Sequence, residues 1–99
     1  SVEKKVVIVT GGFRGNGLGI AKGLSEQGAI VYSYDSNYSN QEVFFNGQFY
    51  EYCGDVLDTD RFSSFCDMVC AEHERIDALV NNAGVTQPSG DDELYSDDA

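Results

Sequence analysis

Thr10-Gly11-Gly12-Phe13-Arg14-Gly15-Asn16-Gly17-Leu18-Gly19 decides how this chain reads. The stretch follows Val6-Val7-Ile8-Val9, the only strongly apolar run near the N-terminus, and precedes a segment with helical spacing from Ile20 to Gln27. A buried strand, a glycine-rich turn and a helix start in that order form a phosphate-binding device. Glycine lets the backbone turn tightly and approach a ligand. The first turn of the helix presents unpaired N–H groups and the positive end of its dipole to an anion.

The same alternation continues outward. Val6 to Val9 is a β-branched run of the kind found in a central parallel strand buried on both faces. Ile20, Ala21 and Leu24 recur at helical spacing, and Gly28 stands where a helix would end. Ala29 to Tyr34 reads as a second strand ending at Asp35. Ser39 with Glu42 matches a capping box, which predicts a short helix through Val43-Phe44-Phe45, ended by Asn46-Gly47. Phe49 to Cys53 reads as a third strand. Asp58 or Thr59 caps a longer helix to about His73, and Asp77 to Asn81 forms a fourth strand. The pattern predicts an α/β fold, a parallel sheet with right-handed crossovers and helices on both faces.

Composition narrows the partners. The 99 residues fit one domain or a piece of one. Six basic residues face 17 acidic ones, a formal net charge of -11. That balance disfavours nucleic acid and anionic membranes, which are bound through basic patches. No apolar run reaches the roughly 20 residues that a membrane span needs. No signal peptide is visible, so a cytoplasmic location is expected. The cysteines Cys53, Cys66 and Cys70 are odd in number and fit reduced thiols. Cys66, Cys70 and His73 share one helical face, the convergence a metal needs. Phe62, Phe65, Cys66 and Val69 form an apolar stripe at the same spacing, so the face reads as core and no metal is expected.

Three sites carry candidate chemistry. Gly11, Gly15 and Gly17 are spaced G-x-x-x-G-x-G, a departure from the G-x-G-x-x-G fingerprint, in which a glycine would replace Ile20. Asp35 lies eighteen residues beyond Gly17, at a strand end, where a carboxylate accepts from ribose hydroxyls and repels a 2′-phosphate. Taken alone it is equally a surface turn residue. Asp55 follows the third strand and either accepts from an adenine amino group or braces the turn into the next helix; alone, the second is favoured. Asn81-Asn82-Ala83-Gly84 follows the fourth strand, and its amides can pair a neighbouring loop or a ribose.

Together, T-G-G-F-R-G-N-G, the strand-end Asp35, Asp55-Val56 and the N-N-A-G of Asn81 to Gly84 resemble the short-chain dehydrogenase/reductase family in order and spacing. The resemblance runs from Val6 onward and implies the N-terminal part of a single Rossmann-type, doubly wound NAD(P)-binding domain. It implies that Gly11, Phe13, Arg14, Gly15, Asn16 and Gly17 surround the pyrophosphate and adenosine ribose. Asp35 would hold the ribose hydroxyls, Asp55 and Val56 the adenine, and Asn82, Ala83 and Gly84 the wall beside the cofactor. Phe13 replaces a small polar residue and Asn16 an Ile or Leu of the usual pattern. Arg14 resembles members that use NADP, and Asp35 resembles those that use NAD. Asp35 favours NAD, because it penalises a 2′-phosphate directly.

The resemblance also implies hydride transfer to or from an alcohol or carbonyl substrate, assisted by a Tyr with a Lys four residues later. Tyr32, Tyr34, Tyr38, Tyr50, Tyr52 and Tyr95 lack that partner, and the only lysines are Lys4, Lys5 and Lys22. No catalytic residue is therefore assigned within the 99 residues, and the isolated chain is expected to be inactive. Ser96-Asp97-Asp98-Ala99 reads as a helix start, so the sequence reads as the N-terminal portion of a longer protein. The helices through which the family forms homo-oligomers would then follow Ala99. The alternative is a non-enzymatic nucleotide-binding module.

Overall fold

The computed structural model describes residues 1–39, 41–44 and 48–82. Its elements are β1 (Val6–Thr10), α1 (Gly15–Glu26), β2 (Ile30–Asp35), β3 (Gln41–Phe44), β4 (Gln48–Cys53), α2 (Thr59–His73) and β5 (Ala78–Asn81). They build a sheet of order β3-β4-β2-β1-β5. β1 pairs in parallel with β2 and β5, and β2 with β4, which gives the Rossmann-type core.

β1 is apolar from Val6 to Val9 because both of its faces are covered. Val6 and Ile8 point to one side, where they pack with Tyr32, Tyr34, Phe65 and Val69 under α2. Val7 and Val9 point to the other, with Ala21 of α1, Ala29, Val31 and Phe49. The alternation is the period-two geometry of a strand. The stripe of Phe62, Phe65, Cys66 and Val69 on α2 is core, as its spacing indicates: Phe65 and Val69 are buried, and Phe62 and Cys66 pack against them. Burial pushes the Cys66 thiol above its usual range. On the same face the Tyr34 and Phe65 rings lie 4.5 Å apart.

One element differs from expectation. The short helix predicted through Val43-Phe44-Phe45 is instead β3, antiparallel to β4 with Val43 opposite Phe49 and Phe44 opposite Gln48; Phe45 lies outside the described residues. Glu42-Val43-Phe44 carries β-branched and aromatic residues that suit a strand. Asn46-Gly47, between two such runs, is a hairpin signal rather than a helix stop. The capping-box match at Ser39 and Glu42 is two polar residues at a chance spacing. The sheet is thus four parallel strands with one antiparallel edge.

At the edge opposite the glycine turn, Asp77 locks β1 to β5. Its carboxylate accepts from the Val6 amide at 2.7 Å and from Arg75 Nε at 2.9 Å. Arg75 Nη2 donates in turn to the Lys4 carbonyl at 2.8 Å. The Val6 amide and the Arg75 guanidinium hold the Asp77 carboxyl below its ordinary value near 3.8. A carboxyl lowered in the folded state stabilises above that ordinary value, and the contribution fades as pH falls through the folded-state value. Asp77→Ala is therefore expected to melt at a lower temperature than the parent at neutral pH, with the gap narrowing in acid. Melting curves from neutral pH down to about pH 2 check this; a gap that stays constant refutes it.

Candidate functional site: a crevice at the strand ends

All four parallel strands end on one side of the sheet. Thr10 of β1 is in register with Tyr34 of β2 and with Asn81 of β5, and Asp35 is in register with Cys53 of β4. The loops after these strands therefore converge. β1 lies between the strand reached through α1 and the strand reached through α2, so the sheet reverses its winding there. That reversal is the place where open parallel sheets leave a ligand crevice.

The glycine turn occupies this point. Gly11 takes a left-handed backbone, φ 68°. Its N–H donates to the Tyr34 carbonyl at 2.9 Å, which ties the turn to β2. α1 starts at Gly15, five residues before the Ile20 predicted from spacing, because the glycines of its first turns carry no apolar pattern. Gly17 packs so closely under the turn that a side-chain carbon there would sit 1.9 Å from the Gly11 carbonyl oxygen. The residue capping α1 is Arg14, whose side chain makes no cap hydrogen bond, and the first turn holds no acid. α2 contrasts with it. There Asp58 Oδ1 accepts from the Arg61 amide at 3.2 Å, and Asp60 sits in the first turn. Among the described residues, the N–H groups at the start of α1 thus lack a capping side chain.

A crevice of about 510 Å³ opens beside the turn. Of the residues expected there, Gly11, Arg14, Asp35, Asp55, Val56 and Asn82 line it. Phe13, Gly15, Asn16 and Gly17 do not; they form the turn and the helix start behind it. Ala83 and Gly84 lie outside the described residues. Tyr34, Ser36, Gly54 and Leu57, none of them among the site residues expected from sequence, complete the lining. Each stands within two residues of Asp35 or Asp55, so chain position is the signal that could have found them. Tyr34 is 2% exposed, and its hydroxyl has no hydrogen-bond partner among the described residues. Burial raises this phenol above its ordinary range.

The carboxylate of Asp35 is held from two sides. Oδ1 accepts from the Asn37 amide and from Asn37 Nδ2, each at 2.9 Å, and Oδ2 accepts from the Phe13 amide at 3.3 Å. Asp55 braces its own turn, with Oδ1 accepting from the Leu57 amide at 2.9 Å, while still lining the crevice. Both readings of Asp55 therefore coexist. Asn82 Nδ2 donates to the Gly11 carbonyl at 3.2 Å, joining the loop after β5 to the glycine turn. Thr10 Oγ1 donates to Asn81 Oδ1 at 3.0 Å. The Arg14 guanidinium stands 5.4 Å from the centre of the Phe13 ring, a cation–π distance.

The helical Cys66, Cys70 and His73 do not converge as ligands. His73 Nε2 hydrogen-bonds the Tyr32 hydroxyl at 2.7 Å, and among the described residues no three His, Cys, Asp or Glu side chains gather at metal range. Among those residues no helix is long and apolar enough to cross a membrane.

The sequence profile described as "short chain dehydrogenase" matches residues 5–99. The chain belongs to the short-chain dehydrogenase family. It is 40% identical over 91 residues to the 2-dehydro-3-deoxy-D-gluconate 5-dehydrogenase of Pseudoalteromonas atlantica, covering 85% of this chain and 36% of that protein. It is 39% identical over 90 residues to the cyclopentanol dehydrogenase of Comamonas testosteroni, covering 85% and 36%. Among solved structures, the short-chain dehydrogenase/reductase from Serratia marcescens superposes with a TM-score of 0.72 at 31% identity, covering 95% of this chain and 42% of that one. This short-chain dehydrogenase chain thus spans little more than a third of the length of the curated relatives it matches.

Proposed function

We propose that this chain is the dinucleotide-holding part of an oxidoreductase that interconverts an alcohol and a carbonyl, and that it prefers NAD to NADP. The observation that carries the reading is the Asp35 carboxylate, fixed by Asn37 and Phe13 in a crevice that Gly11 of the glycine turn also lines. The donor set suits a dinucleotide. The tight fit at Gly17 and the start of α1, which no side chain of its N-cap residue caps, form a cradle for a diphosphate. Asp35 accepts from ribose hydroxyls and opposes a 2′-phosphate. Asp55 and Val56 flank the adenine, and Asn82 steadies the turn from the far side. A bound nicotinamide supplies the hydride acceptor or donor; the residues here bind and orient it. Relatives named for a deoxygluconate and for cyclopentanol support an alcohol or carbonyl as the substrate class.

The Arg14 guanidinium does not overturn the preference for NAD. It lies against Phe13 and lines the same crevice, where it can serve a diphosphate as readily as a 2′-phosphate. No tyrosine in the 99 residues has a lysine four positions on, so nothing in this stretch supplies the family's proton donor. The 99-residue chain is therefore expected to bind NADH more tightly than NADPH and to turn over no alcohol. Fluorescence titration with each reduced cofactor, followed by an assay for NADH formation with alcohols, checks both points. Tighter binding of NADPH would refute the preference, and turnover would refute the division of labour.

A further inference from the structure

We propose that Tyr38 is a positioning residue for the glycine turn, setting the affinity of the crevice for a diphosphate without touching the ligand. The proposal rests on the reading of the crevice as a dinucleotide site.

Tyr38 belongs to none of the motifs and stands three residues beyond Asp35, with only 7% of its surface exposed. Its hydroxyl lies 2.8 Å from the Gly12 carbonyl oxygen and 2.7 Å from Ser33 Oγ. A carbonyl only accepts, and a phenol has one proton to give. Tyr38 therefore donates to Gly12, and Ser33 donates to Tyr38. Burial pushes the Tyr38 phenol up to about 12, so the donated proton stays in place throughout the physiological range. Hydrogen bonds in such a buried chain polarise one another.

The target of this bond matters more than its strength. The Gly12 carbonyl and the Phe13 N–H belong to one peptide plane. The carbonyl end is held by Tyr38, and the N–H end donates to Asp35 Oδ2 at 3.3 Å. Tyr38 and Asp35 are themselves linked, since the Tyr38 amide donates to the Asp35 carbonyl at 3.2 Å. A single rigid plane, gripped at both ends, thus sits two residues ahead of the start of α1. Its orientation sets where the following N–H groups point. The Phe13 ring adds an edge-on contact with Tyr38, with centroids 5.4 Å apart at 75°. This accounts for the aromatic residue that replaces the family's small polar one at position 13: it packs against the clamp. Position 12 has no room for a side chain, because an added carbon would lie 1.9 Å from Ser33 Oγ.

The test compares two ligands that differ only in the diphosphate, ADP and adenosine, on the 99-residue chain. Tyr38→Phe keeps the ring against Phe13 and removes the bond to Gly12. It is expected to weaken ADP and NADH about tenfold, while adenosine stays within about twofold. Ser33→Ala removes a buried hydroxyl from the same network but leaves the Tyr38–Gly12 bond, and should keep ADP within about twofold of the parent. ADP binding unchanged in Tyr38→Phe overturns the proposal. So does an equal loss of adenosine and ADP, which would make Tyr38 a support of the fold alone. Phe13→Ala, at a site 39% exposed, covers the case in which Tyr38→Phe does not fold. It should weaken ADP about threefold and leave adenosine unaltered, and no change in ADP there overturns the proposal equally. If the unaltered chain binds neither ADP nor NADH, the dinucleotide reading itself has failed, and the variants are not needed to see it.

Discussion

Gly17→Ala abolishes measurable NADH binding and lowers the melting temperature: that is the expected result of the most disruptive single-methyl change in the site. The added carbon would lie 1.9 Å from the Gly11 carbonyl oxygen and 2.7 Å from Asn82 Nδ2. Neither neighbour yields cheaply. The carbonyl belongs to a turn whose N–H is tied to β2, and it already accepts from that same Asn82 amide. Relief therefore requires α1 to back away from the strand ends or the turn to open. Overpacking of this kind costs about 1–3 kcal/mol of stability. Binding should suffer more, because the displaced segment is the proposed diphosphate cradle; a loss of at least about a hundredfold corresponds to about 2.7 kcal/mol. Gly19 supplies the internal control. It lies two residues further into α1, and an added carbon there meets nothing within 4 Å. Gly19→Ala should leave NADH affinity intact and raise stability by about 0.5–1 kcal/mol, the usual gain in a helix interior. Parallel titration and thermal unfolding of the two variants decide the matter, and NADH affinity in Gly17→Ala within about threefold of the parent would sink it.

The second large effect concerns cofactor choice. Asp35→Ser should weaken NADH about tenfold and strengthen NADPH about tenfold, moving the ratio of the two affinities by about two orders of magnitude. Hydrogen bonds to a charged acceptor are worth about 1.5–3 kcal/mol, and the same charge that accepts from ribose hydroxyls repels a 2′-phosphate. The carboxylate also anchors the Asn37 and Phe13 amides, so serine removes geometry along with charge. Asp35→Asn separates the two, since its amide oxygen still accepts from a backbone N–H while the charge is gone. If charge governs the choice, Asn should recover much of the shift toward NADPH with less loss of NADH. Titration of both variants with both reduced cofactors checks this. An unchanged ratio in Asp35→Ser would remove Asp35 from the account of specificity.

What could be read from the sequence was what is local. Val6 to Val9 followed by a glycine turn and a helical pattern needs no distant residue to be recognised, and the strands ending at Asp35, Cys53 and Asn81 lie where their patterns predict. β3 was illegible for a physical reason. Its four residues carry too little periodicity to tell strand from helix, and the pairing that makes it a strand comes from β4. The start of α1 was hidden because its first turns are built of Gly15, Gly17 and Gly19, poor helix formers that the fold imposes on the segment. Of the crevice lining, Gly11, Arg14, Asp35, Asp55, Val56 and Asn82 stand in sequence motifs, and the proposed Tyr38 clamp does not. Tyr38 reads as one aromatic in a polar linker, and only the folded chain brings its hydroxyl to Gly12, twenty-six positions earlier. Tyr34 is similar: nothing in the strand pattern says that its hydroxyl lies beside the crevice with no partner among the described residues.

The strand order also bears on how the molecule assembles. β1 precedes both β2 and β5 in the chain, yet it lies between them in the sheet, and the hydrogen bond from Val6 to Asp77 spans 71 positions. One flank of β1 closes early through α1; the other waits until β5 has been synthesised. The ordering entropy of that long loop is paid before its contacts repay it, so this pairing is the slow kind. Asn82, which steadies the glycine turn, arrives with the late partner. The proposed nucleotide cradle joins Gly11 to Asn82, 71 positions apart, which makes it a reporter of completed folding rather than a nucleus for it.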